Sequence, residues 1–187
     1  KSDIILASAT AFGRGGPYSE RIGFDGIGQV MSGAVSRTGL PDQPIRTAVP
    51  YVDYATALSL TIGAMMALYH RNATGEGQEV EAALLPSALM MSNALLIEQS
   101  ILQQNRGRIG NKGMAIGPSD LFRVRDGWLL VQVTGQPMFR RWCRLVGEEL
   151  WINDPRFAND ELRAVNGDVL NARMQQWCED KSTAEAI

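Results

Sequence analysis

Histidine and cysteine are scarce in these 187 residues: His70 is the only histidine, and Cys143 and Cys178 are the only cysteines. A single histidine nearly excludes both a multi-histidine metal site and a Ser-His-Asp triad, and no metal is expected. His70 is expected near the end of a helix, where a cationic or donor side chain suits the dipole. The cysteines stand far apart and match neither metal-ligand nor redox spacing. They read as small buried hydrophobes, which fits a cytoplasmic, reducing location. A basic surplus is missing too: Lys and Arg number 18 against 20 Asp and Glu, a net charge of −2. That balance argues against nucleic acid or an anionic membrane as a partner. Local basic clusters at Arg106-Gly107-Arg108, Arg140-Arg141 and Arg144 are mostly expected on solvated helix faces. Long hydrophobic runs are also lacking. The nearly uncharged stretch from Tyr54 to Tyr69 contains Thr56, Ser59, Thr61 and Gly63 and is shorter than the roughly 20 residues that span a bilayer. It reads as a buried core helix, apolar nearly all round and so packed on both sides. Lys1-Ser2-Asp3 leads into a run too short for the apolar part of a signal peptide.

What is present belongs to a globular protein, with 45% apolar and 20% charged residues and length for one ordinary domain or two small ones. The first part alternates strand and helix signals. Strands are expected over Asp3 to Ala9, Ile45 to Pro50 and Gln78 to Leu84. Helices are expected over Phe24 to Ser36, after Asp53, and from Pro86 to about Gln104. Ile109 to Pro118 reads as a glycine-bearing loop or linker. Beyond it, Leu121 to Val124 and Trp128 to Val133 flank Asp126-Gly127, a strong hairpin-turn signal. Helices should follow over Pro137 to Val146 and Val169 to Cys178. The expected class is therefore α/β, with residues 1–108 as part of a large domain and 109–187 as a loop and small α+β domain. Both ends look cut. The chain opens without Met on a strand-like run and closes on a capping box, Ser182-Thr183-Ala184-Glu185, with two residues left to build a helix.

Asp53 is the most informative residue, a lone carboxylate between Tyr51-Val52 and the apolar stretch. As an N-cap it would accept free backbone N–H groups. As a group held for chemistry it would sit at the positive end of a helix dipole, which keeps it ionised. Several other signals stand around it in a fixed order. They are Phe12-Gly13-x-x-Gly16-Pro17-Tyr18, Gly23-Phe24-Asp25, Tyr69-His70-Arg71, Thr74-Gly75-x-Gly77-Gln78 and Arg108-Ile109-Gly110-Asn111. Phe122, Asp126-Gly127-Trp128 and Asp154-Pro155-Arg156-Phe157 continue the series. In this order they resemble the class III CoA-transferases, a family that includes formyl-CoA transferases, carnitine CoA-transferases and α-methylacyl-CoA racemases.

The resemblance implies a Rossmann-like large domain, an interlocked homodimer in the full-length protein, and acyl-CoA and a carboxylic acid as substrates. It makes Asp53 the covalent nucleophile, passing through a mixed anhydride and an aspartyl-CoA thioester. Asp25 matches an acidic position near that nucleophile, and a surface or capping carboxylate is its alternative reading. Gly113 and Gly117 fall in a glycine-rich loop that covers the active site in formyl-CoA transferase, here with fewer glycines, and a plain interdomain linker is the alternative. Phe24 stands where the racemases carry a histidine base, and phenylalanine takes no proton. An acyl-CoA racemase and a catalytically silent CoA-binding relative remain the competing functions. The family's CoA contacts lie mostly upstream of this chain, so the fragment alone is expected to be inactive.

Overall fold

The strand expected near the start forms as β1, Leu6–Thr10, in a computed structural model that describes residues 1–187. It pairs in parallel with β4, Glu79–Ala83, in register from Leu6 opposite Glu79 to Thr10 opposite Ala83. Parallel neighbours need a long crossover. This one carries α1 (Asp25–Met31), α2 (Ala34–Arg37) and α3 (Tyr51–Thr74). Helices α4 (Leu84–Met91) and α5 (Asn93–Leu102) follow β4. Together these elements make the first of two units, Lys1–Gly110.

Three expectations for this unit need correction. The helix read from Phe24 breaks into α1 and α2 at Ser32-Gly33, and the one read from Pro86 breaks at Ser92. No strand forms over Ile45 to Pro50. Only Gln43–Pro44 (β3) pairs, with Gly39–Leu40 (β2), because Pro44 and Pro50 have no N–H to give and Thr47 N donates to Gln29 Oε1 instead. The third correction concerns α3, which is not buried on both sides. Val52, Ala55, Thr56 and Ala67 are buried, while Tyr54, Leu58, Ile62, Met65 and Tyr69 lie at helical spacing along an exposed face, Leu58 at 64%. The helix packs on β1, β4, α4 and α1. The buried apolar side chains of this unit, Val52, Ala55, Ala67, Ala83 and Ala88, are all small. Its core is a close backbone approach, without large interlocking side chains.

The second unit, Asn111–Ile187, has a different core. Strands β5 (Ser119–Val124) and β6 (Gly127–Gln132) form an antiparallel hairpin turning at Arg125-Asp126. Helix α6 (Gly135–Val146), two 3-10 turns (Glu149–Asn153 and Pro155–Phe157), α7 (Asp160–Val165) and α8 (Gly167–Cys178) close over it. Phe139, Trp142, Trp151 and Phe157 form a ring cluster with centroids 5.3 to 6.0 Å apart, two pairs stacked and two tilted, each such pair contributing about 0.5–1.5 kcal/mol beyond area burial. Arg163, 1% exposed, binds Asp160, Gln136 and the Phe157 carbonyl while its guanidinium lies over Phe139. The chain ends on α9 (Thr183–Ala186), where the capping box of Ser182 and Glu185 forms as read.

Candidate active site

Helix α3 begins at Tyr51, so Asp53 is its third residue and does not cap it. The residue at the cap is Pro50, which offers no side-chain acceptor. The first turn of a helix has N–H groups with no partner inside the helix, and here a carboxylate from another helix accepts them. Asp25 Oδ2 takes Val52 N at 2.9 Å and Asp53 N at 3.4 Å. Asp25 is 7% exposed. Of its alternative readings the capping one is observed, and the surface one is not. Asp53 itself is exposed, with its side chain in the first turn beside the positive end of a 24-residue helix.

Asp25 reaches the first turn of α3 because α1 lies almost against that helix. A Cβ at Gly28 would stand 2.7 Å from Val52 Cγ1, so only glycine permits this approach. Gln29, one turn beyond Asp25, is 1% exposed. Its Nε2 donates to Asp25 Oδ1, and its Oε1 accepts Thr47 N at 3.0 Å. Sequence reading missed Gln29, although the Asp25–Gln29 spacing of four residues was a usable signal. Burial pushes the Tyr51 phenol above its usual range and the Asp25 charge adds to this, against a hydrogen bond from Ser32. The Tyr51 phenol is therefore neutral at physiological pH. Phe24, at the N-cap of α1, has an exposed ring beside this site.

The other singled-out residues fall elsewhere. Gly113 and Gly117 belong to the second unit, where Gly113 N donates to Ser119 O at 2.9 Å and Gly117 lies against the Arg163 backbone. His70 lies near the end of α3, 3.7 Å from Glu76. Arg106 and Arg108 are not on a helix face. Arg106 pairs with Glu98, and Arg108 donates to the carbonyls of Leu40 and Pro41. Arg140, Arg141 and Arg144 are exposed on α6. Cys143 and Cys178 are buried. Burial raises both thiols, Cys143 to about 11, so neither supplies a thiolate nucleophile near neutral pH.

Comparison with known proteins gives one consistent result. The family model described as CoA-transferase family III matches residues 1–187. A succinyl-CoA–D-citramalate CoA-transferase from Chloroflexus aurantiacus is 29% identical over 93% of the chain and 44% of its own length. A succinate–glutarate CoA-transferase from Agrobacterium fabrum is 34% identical over 87% of the chain and 41% of its own length. The crystal structure of a CAIB/BAIF family protein from Brucella suis superimposes with a TM-score of 0.81 at 28% identity, covering 100% of this chain and 50% of that one. The chain thus spans less than half the length of these two curated relatives.

Proposed function

The chain belongs to CoA-transferase family III, and from that premise we propose that the complete protein moves CoA from an acyl-CoA donor to a carboxylic acid, with Asp53 as covalent nucleophile. An Asp53 oxygen attacks the thioester carbonyl, the C–S bond breaks, and CoA leaves as thiolate from a mixed anhydride. The thiolate then attacks the Asp53 carbonyl of that anhydride. The donor acid departs as carboxylate, and an aspartyl-CoA thioester remains. The acceptor carboxylate repeats the cycle in reverse: it displaces thiolate, and the thiolate takes the acceptor's carbonyl and restores Asp53. No net proton is gained or lost.

One observation carries this reading: Asp53 is exposed at the helix terminus while Asp25 does the capping. Its oxygens are therefore not committed to backbone amides. A carboxylate is a weak nucleophile and needs its oxygens free and the thioester held close. The parallel β1–β4 pair with its helical crossover supports a Rossmann-like sheet in the complete protein, which we propose to be a cytoplasmic homodimer. Phe24 favours transfer over racemisation, since the position offers no base. A direct test is to incubate the complete protein with acyl-CoA, trap with hydroxylamine and map the adduct by mass spectrometry. Modification at Asp53, and a loss of several powers of ten in rate for Asp53→Asn, are the expected results. Label elsewhere, or unchanged turnover of Asp53→Asn, would sink the assignment.

A further inference from the structure

Asp25 has two oxygens, and what each one touches is set by a neighbour. A carboxylate held at one oxygen only turns broadly about its last torsion. Here Gln29 takes the other. Its Nε2 donates to Asp25 Oδ1 and reaches Thr47 O at 3.5 Å, while its Oε1 accepts Thr47 N. Both ends of the buried amide are thereby used. Oδ2 of Asp25 is left aimed at the amides of Val52 and Asp53. A continuous run of bonds leads from the segment ahead of α3, through Gln29 and Asp25, to the backbone that carries Asp53.

The residue type at position 29 follows from this arrangement. Glutamate has no donor for Asp25 and would set two carboxylates side by side in a buried place. An apolar side chain would leave a buried carboxylate oxygen and the Thr47 amide without partners. Only an amide of this length serves both at once.

We propose that Gln29 is a positioning residue for the nucleophile: by orienting Asp25 it fixes the backbone at Val52 and Asp53, and so the line along which the Asp53 carboxylate meets the thioester. The kinetic part of this proposal rests on Asp53 being the nucleophile, whereas the link from Gln29 to the first turn of α3 does not. A group acting in this way changes the chemical step more than binding. A displacement of about 1 Å at a reacting centre costs on the order of 100-fold in rate.

The test uses the complete protein as wild type, Gln29→Met, Asp25→Asn and the double variant. Amide hydrogen exchange is read at Val52 and Asp53, and acylation of Asp53 is followed in a single turnover with acyl-CoA. In Gln29→Met we expect those two amides to exchange about tenfold faster while the rest of the unit keeps its protection. Acylation should slow by about 10- to 100-fold with KM for acyl-CoA moved less than about threefold. In the Asp25→Asn background the same replacement should add almost nothing, since the two act through one path. A purely structural role would instead spread the loss of protection through the unit and keep its full effect beside Asp25→Asn, and either result overturns the proposal. Unchanged exchange at Val52 and Asp53 also overturns it. Absence of any wild-type adduct on Asp53 would remove the nucleophile assignment and the kinetic part with it, while the exchange measurement still decides for or against Gln29.

Discussion

Replacing Gly28 by alanine tests whether the approach of α1 to α3 builds the site. The new methyl would lie 2.7 Å from Val52 Cγ1 and 3.4 Å from Cγ2, against about 3.5–4.0 Å for an ordinary carbon contact. The helices must separate by about 1 Å or Val52 must turn, and such overpacking costs about 1–3 kcal/mol. Alanine recovers about 1 kcal/mol through its better helix propensity, which leaves a net loss of about 0–2 kcal/mol. Val52→Ala alone should cost about 2 kcal/mol, because Val52 is completely buried and its two methyl groups leave a void. The double variant is the informative one, since the new methyl enters the space that Val52 vacates. Its loss should fall short of the sum by at least about 1 kcal/mol, well outside the few tenths expected of independent sites. Tryptophan fluorescence is the wrong probe, because Trp128, Trp142, Trp151 and Trp177 all lie in the second unit. Urea unfolding followed by hydrogen exchange along α3 reports the right region. Strict additivity would mean that Gly28 and Val52 do not press on one another and that the close helix approach does not set Asp25.

Arg163→Met should destabilise the second unit by about 3–5 kcal/mol, since Asp160, Gln136 and the Phe157 carbonyl lose a buried partner together; a loss under about 1 kcal/mol by tryptophan fluorescence would refute this. Asp126 is held below its usual range, chiefly by Thr183 N and Oγ1 donating to it. A lowered native pKa means the bond stabilises above the unfolded value and is lost as pH falls through the native one. The Thr183 amide should therefore lose protection only below the ordinary aspartate range, and Asp126→Asn should remove the part of that dependence owed to position 126, leaving the part that Glu185 contributes through the capping box. By calorimetric titration the 187-residue chain alone should bind CoA weakly and transfer none, because contacts to the nucleotide end position the thioester; micromolar binding with turnover would contradict this.

Local signals were legible wherever local chemistry decides the outcome. Asp126-Gly127 marked the hairpin to within one residue of the Arg125-Asp126 turn, and the Ser182–Glu185 box marked a helix start, because each interaction closes within a few residues. Asp25 capping α3 spans 27 and 28 positions, and no periodicity announces a partner that distant. The apolar circumference of α3 was visible as composition, yet which side this chain covers depends on β1, β4 and α4. Ile45 to Pro50 carried strand-like residues, and its fate was settled by Gln29 taking the Thr47 amide.

Capping α3 from Asp25 has a consequence for how this site tolerates change. On the proposed mechanism, fold and chemistry fall to different residues, Asp25 buried and Asp53 exposed. Position 53 is therefore free to vary without the helix losing its terminal acceptor, whereas position 25 is not. Such a division makes an inactive but intact form a single substitution away: Asp53→Asn should keep the native α3 and still hold substrates. That form suits capture of the unreacted acyl-CoA complex. On that mechanism, chemistry at position 53 could be dropped or recovered without rebuilding the scaffold.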